Sequence, residues 1–308
     1  MKRGQMHEVF GRRLFAVSEG EGDPSRETIL ILHGFPTCSY DWARALPVLA
    51  AKRRVVIHDH LGFGLSEKPK EYGYSLFEQA EHAIGLWRKL GIRRGHIIAH
   101  DYGTSVATEL LALRERGLLP IELASVTLSN GSVLVELAHL RLAQRILRNQ
   151  TFGKYLARLS SPSFFKRQIR AILAKPEAVS DAELDALFEA LAHDDGKERI
   201  SPLSQYISER YRFRERWFNA LCRSDVPLHL LWAKKDPIAV PAIPEKIFAS
   251  VPEGRAKLTW IDDLGHYPMM EDATRYAELA VRGIDEMVTT SPSKSGAIAG
   301  AERSSVSG

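Results

Sequence analysis

Short, continuous apolar runs alternate with stretches of helical spacing along the first 130 residues. Residues 28–32, 54–57, 95–99 and 124–128 are such runs. A strand buried on both faces reads this way, because neither side needs polar alternation. Between the second and third runs, residues 75–90 space their apolar positions for a helix, and Ser75 stands where an N-cap belongs. Residues 7–10 and 13–17 read as two short strands around Gly11. Strands alternating with helices predict a parallel sheet.

The pattern then changes. From Gly131 to Arg223 the apolar residues keep helical spacing and no buried strand is visible. The strand–helix pattern resumes at 227–232 and 256–261 and closes with an amphipathic helix over 272–288. The simplest account is an α/β core made of 1–131 and 226–289, with a helical insertion at 132–225. Residues 290–308 are rich in Ser, Gly and Ala and are expected to be disordered.

Composition narrows the class. A chain of 308 residues that is 44% hydrophobic and 26% charged supports a large core without staples. No apolar run reaches the roughly 18 residues a spanning helix needs, so no integral membrane segment is expected. The basic start, Met1 to Gln5, has no apolar stretch behind it and does not read as a secretory signal. Two cysteines, Cys38 and Cys222, make neither a disulfide framework nor a zinc site. A reducing cytoplasm is therefore the expected compartment. The net charge of +4 is dispersed, with local excess only at Lys166–Arg170 and Arg210–Arg216. That argues for a solvated surface and a small-molecule substrate, not for nucleic acid. The basic stretch from Arg210 to Arg214, broken by Glu215, reads as a solvated helix face. A monomer or homodimer is expected, and no cofactor or metal.

The chemistry concentrates where strands end. In Ala99-His100-Asp101-Tyr102-Gly103 a buried strand meets a helix through a tight turn flanked by small residues. That is nucleophile-elbow geometry with Asp at the centre. Taken alone, Asp101 serves equally well as a helix cap. An elbow nucleophile, however, needs an acid and then a His in that chain order. Asp236 follows the 227–232 strand and His266 follows the 256–261 strand. Three such residues in order, all at the carboxyl ends of strands, point to a triad of Asp101, Asp236 and His266.

The backbone N–H groups of Phe35 and Tyr102 are the expected oxyanion donors. His33 reads as a residue fixing the Phe35 loop, and Asp59 as one tying the loop at 61–64 by hydrogen bonds. His58 and His60 lack a third ligand at metal spacing. Ser105 is a rival nucleophile only if the strand continues past Asp101, whereas the apolar run stops at Ala99.

These residues resemble the α/β-hydrolase superfamily. His33-Gly34-Phe35-Pro36, Asp59 with Gly62-Phe63-Gly64-Leu65-Ser66, His100-Asp101-Tyr102-Gly103 and His266 match its aspartate-nucleophile branch, the epoxide hydrolases and haloalkane dehalogenases. A closer likeness, to the mesoderm-specific transcript family, shows in Ser39-Tyr40-Asp41-Trp42, Tyr74 to Ala80, Leu128-Ser129-Asn130-Gly131, Gln205-Tyr206-Ile207, Phe213-Arg214 with Arg216-Trp217, and His266-Tyr267-Pro268.

The resemblance implies an α/β-hydrolase fold whose insertion is a cap, and an alkyl ester formed on Asp101. Epoxide opening then calls for cap tyrosines as acids. Tyr206 is the first choice, with Tyr155 and Tyr211 behind it. Haloalkane dehalogenation is the runner-up. It calls for indole donors that Tyr102 and Phe35 do not supply, and leaves Trp217 as a candidate that reads equally well as packing. A binding module that keeps the triad without catalysis is the alternative of another class.

Overall fold

The apolar runs must stack side by side to hide their backbones. In a computed structural model, which describes residues 4–20, 26–142 and 161–290, they do so. They form the middle of an eight-stranded sheet of order β1-β2-β4-β3-β5-β6-β7-β8. The strands are β1 (Gly4–Val9), β2 (Arg12–Glu19), β3 (Thr28–Leu32), β4 (Val55–His58), β5 (Arg94–His100), β6 (Glu122–Ser129), β7 (Leu228–Ala233) and β8 (Ala256–Ile261). Each run read from the sequence overlaps one of them, with Phe10, Arg54 and Pro227 falling just outside.

The first two strands form a hairpin that turns at Phe10 and Gly11, both with positive φ, and β2 pairs antiparallel with β4. All other neighbours are parallel. The fold is thus an α/β-hydrolase sheet, mostly parallel and flanked by helices. The central strand β3 has Ile29, Leu30, Ile31 and Leu32 fully buried, as a strand covered on both faces must.

The core helices are α1 (Leu46–Leu49), α2 (Leu76–Lys89) and α3 (Tyr102–Glu115). Ser75 caps α2 in a reciprocal box with Glu78. Between β6 and β7 the described elements are helical: α4 (Pro162–Arg170), α5 (Asp181–Ala192), α6 (Ile200–Leu203), α7 (Tyr206–Arg212) and α8 (Arg214–Arg223). The chain then returns through α9 (Ala242–Ser250), α10 (Pro268–Glu271) and α11 (Ala273–Thr290). Tyr155 and residues 291–308 of the expected tail lie outside the described residues. No described helix is long and apolar enough to cross a membrane.

The insertion is fastened to the core through α8 and α3. Glu109 of α3, buried at 1% exposure, takes a two-pronged bond from Arg216 (2.8 and 2.7 Å) and the Trp217 indole N–H at 2.8 Å. The structure corrects the expectation that Trp217 serves the substrate. Its indole donor is spent on Glu109, and its ring packs against Phe77 and Phe213. Glu209 of α7 adds a second fastening, accepting the Leu76 N–H at the start of α2 at 2.8 Å.

Candidate active site

Asp101 sits between β5 and α3 with φ 43° and ψ −105°, a conformation that L-residues avoid. Holding it costs about 1–3 kcal/mol, so the surroundings must over-determine the turn. They do. The Gly103 N–H donates to the His33 carbonyl at 3.0 Å, and Thr104 donates through both its N–H and its hydroxyl to the Asp101 carbonyl. The helix also lies so close to β3 that a Cβ on Gly103 would stand 2.3 Å from the Leu32 carbonyl oxygen. Only glycine permits that approach.

The Phe35 loop closes over the elbow, and the Phe35 N–H donates to Asp101 Oδ2 at 3.0 Å. Its position is secured on both sides. His33 Nδ1 donates to the Gly34 carbonyl at 2.9 Å, and His33 Nε2 accepts the His60 N–H at 2.9 Å. The Tyr267 hydroxyl donates to the Phe35 carbonyl at 3.1 Å. His33 is thereby a scaffold residue, as read from the sequence. Asp59 likewise ties loops, accepting the Ser39 and Leu65 N–H groups at 2.7 and 2.8 Å. Tyr267 was missed. Its signal lay in the segment at 266–268, where only the histidine drew attention.

Asp236 accepts His266 Nδ1 at 2.8 Å, the Ile238 and Ala239 N–H groups at 2.7 and 3.0 Å, and Asn130 Nδ2 at 2.8 Å. Burial alone would raise its pKa. The His266 ring and these donors outweigh burial and hold it below the usual carboxylate value. In His266 burial opposes the charged form, but the Asp236 charge and hydrogen bond prevail and raise its pKa, with Asp101 contributing.

Backbone bonds orient the imidazole further. The His266 carbonyl accepts His100 Nε2 at 2.7 Å, and its N–H donates to the Ile172 carbonyl of the insertion at 2.9 Å. Asn130, at the end of β6 with φ 45°, was also missed as a site residue. It links the acid to β7 by exchanging bonds with Ala233 at 3.0 and 3.2 Å.

Aromatic rings wall the site. Tyr206 of α7 lies 5.3 Å from Phe35 and 5.1 Å from Tyr102, between the two residues read as oxyanion donors. Tyr211, five residues further on, is 43% exposed where Tyr206 is 1%, so it is corrected out of the buried site. A separation of four residues shares a helix face, and five does not. Four residues from Tyr206 is Arg210, and here the reading of a solvated basic face is corrected for this residue, while Arg212 and Arg214 are exposed as read. Arg210 is 1% exposed, and its guanidinium lies 4.5 Å from the centre of the Tyr206 ring. Nη2 donates to the Asp101 backbone carbonyl at 2.9 Å and stands 3.7 Å from Asp101 Oδ1. Nε donates to the Ser105 hydroxyl at 2.7 Å. The rival Ser105 is therefore a fully buried residue within α3 that accepts from an arginine. Tyr155 falls outside the described residues.

An elbow at the carboxyl edge of a parallel sheet, with an acid and a histidine on later loops, defines a hydrolase-type site. The family model for the alpha/beta hydrolase fold matches residues 27–273, and the chain belongs to that family. LipZ of Mycobacterium tuberculosis strain H37Rv is 38% identical over 86% of this chain and 90% of its own. The human mesoderm-specific transcript homolog protein is 35% identical over 87% of this chain and 82% of its own. Shorter matches join the chain to epoxide hydrolase B of Mycobacterium tuberculosis, 32% identical over 33% of this chain and 30% of its own. A haloalkane dehalogenase of Sphingobium indicum is 35% identical over 32% of this chain and 33% of its own. Among solved structures, the epoxide hydrolase CorEH superposes with a TM-score of 0.75 at 16% identity, covering 92% of this chain and 99% of that one, a likeness of fold.

Proposed function

We propose that this hydrolase uses Asp101 as its nucleophile, beneath a cap formed by 132–225, and that its reaction is the opening of epoxides on small apolar substrates. The observation that carries the reading is the bond from the Phe35 N–H to Asp101 Oδ2 at 3.0 Å, with His266 and Asp236 paired at 2.8 Å on the neighbouring loops. A carboxylate carries its charge at neutral pH and needs no base for the first step. Asp101 attacks the electrophilic carbon and forms an ester. His266, oriented by Asp236, takes a proton from water, and that water adds to the Asp101 carboxyl carbon. The Phe35 and Tyr102 N–H groups hold the resulting oxyanion, each contributing about 3 kcal/mol.

Tyr206, against both Phe35 and Tyr102, is the acid best placed to protonate the opening oxygen. The haloalkane reading is weaker, because the Trp217 indole donor is engaged by Glu109. A non-catalytic module has no need of a strained elbow held by so many bonds.

The test is a trap. A His266→Gln variant forms the ester but cannot hydrolyse it. It is incubated with a pool of aryl epoxides, bromoalkanes and activated esters, and its peptides are weighed. The reading expects an Asp101 adduct that carries the whole epoxide. An adduct lacking halide supports dehalogenation instead. An adduct on Ser105, or none on a protein that remains folded, overturns the aspartate nucleophile.

A further inference from the structure

The two oxygens of Asp101 have different neighbours. Oδ2 accepts the Phe35 N–H at 3.0 Å, whereas Oδ1 faces the Arg210 guanidinium at 3.7 Å. That guanidinium is fixed on three sides, by the Asp101 carbonyl at 2.9 Å, by Ser105 Oγ at 2.7 Å and by the Tyr206 ring at 4.5 Å. It is a buried, oriented positive charge beside one particular oxygen, supplied by the insertion and not by the sheet. A charge so held needs no reorganisation when charge develops next to it.

We propose that Arg210 is a catalytic residue of the second half-reaction, stabilising the negative charge that builds on Oδ1 as the product leaves. The inference rests on Asp101 being the nucleophile. Oδ2, which already accepts the Phe35 N–H, becomes the ester carbonyl oxygen. Oδ1 is then the oxygen that attacks and bonds to the substrate carbon.

In hydrolysis, water bonds to the Asp101 carboxyl carbon and passes a proton to His266. The tetrahedral intermediate then breaks the bond between that carbon and Oδ1. The electron pair departs on Oδ1, which stays with the product and takes the proton held by His266. A cation beside Oδ1 lowers the barrier to this step. In the first half-reaction the same cation acts the other way, because there the charge leaves Oδ1. Arg210 therefore favours ester breakdown over ester formation, and this asymmetry separates it from a residue that merely holds the elbow.

The experiment is single-turnover kinetics with 4-nitrostyrene oxide, following ester formation and decay separately by quenched-flow mass analysis of the Asp101 peptide. In Arg210→Met, decay is expected to slow by about tenfold or more while formation changes by less than about threefold, so the ester accumulates. Arg210→Lys keeps the charge without the fork and should fall between Arg210→Met and the native protein. Ser105→Ala frees Nε and should shift the ratio of the two rates the same way by a smaller amount. Those two variants decide the matter if Arg210→Met does not fold. Equal slowing of both steps in the folded variants overturns the inference and leaves the nucleophile standing. No Asp101 ester in His266→Gln with this probe or with the pool overturns both.

Discussion

Among the described residues, two contacts of the insertion with the core beside the site are built in opposite ways. At the His266 loop the core reaches outward. Glu271 of α10 accepts the Ala174 and Lys175 N–H groups at 2.8 Å each and the Gly265 N–H at 3.0 Å, while the His266 N–H donates to Ile172. Backbone groups of the insertion make the bonds to Glu271 and His266, and its charge here, Lys175, pairs with Asp263 of the loop at 2.6 Å and not with the triad. At the elbow the insertion reaches inward. Arg210 approaches Asp101 and Ser105, while Arg216 and Trp217 hold Glu109. Side chains make this contact, and it places a cation against the proposed nucleophile. The insertion thus steadies the His266 loop mainly through backbone bonds, and brings a guanidinium to the proposed nucleophile.

Breaking the elbow itself should have the largest effect. Asp101→Ala removes the proposed nucleophile, and steady-state turnover on any substrate is expected to fall by about 10⁴-fold or more, with folding retained by circular dichroism. Acid attacks the same side next. His58 and His60 lie under the elbow, with His60 5.4 Å from Tyr102. Burial, with the neighbouring imidazoles, drives the His58 pKa down to about 3 and that of His60 well below the ordinary 6.5. The unfolded chain binds protons near 6.5 that the folded chain refuses. Stability present above that value should therefore drain away as pH falls, by about 2 kcal/mol per histidine near pH 5. Urea unfolding at pH 7 and pH 5 measures it, and identical midpoints would contradict it.

Two smaller changes separate the two contacts. Glu109→Ala strands the Trp217 indole and frees Arg216, a loss of about 2 kcal/mol in urea unfolding, moderated because Arg216 is partly exposed. Glu271→Gln keeps the shape but turns one acceptor into a donor. It should cost about 1 kcal/mol and slow ester decay more than ester formation, because the loop it secures carries the proposed base. Equal slowing of the two steps would show that the outward contact serves the whole site.

The sheet was legible because its chemistry is local. A strand covered on both faces must be an apolar run, and residues 28–32 coincide with β3; residues 256–261, half-buried at the edge of the sheet, coincide with β8. Ser75 announced the start of α2 for the same reason. The order of elbow, acid and histidine was legible because each follows a strand. What stayed hidden is side-chain contact across long sequence distance. Arg210 looked like one solvated cation among several, Trp217 like a substrate-site donor or a packing ring with nothing to choose between them, and Glu109 like an ordinary position in α3. Nothing local distinguishes a buried arginine from an exposed one when its partners lie about a hundred positions away. One clue was available: Tyr206 and Arg210 share a face of α7, so a tyrosine placed at the site brings the arginine with it.

The most direct test of the aspartate nucleophile is one turnover of the native protein in heavy-oxygen water, with enzyme in excess over 4-nitrostyrene oxide. If Asp101 forms the ester and water attacks its carboxyl carbon, the heavy oxygen enters the Asp101 peptide and the first product leaves unlabelled. Label in the product, with none in the Asp101 peptide, would mean that water attacks the substrate directly and would contradict the account.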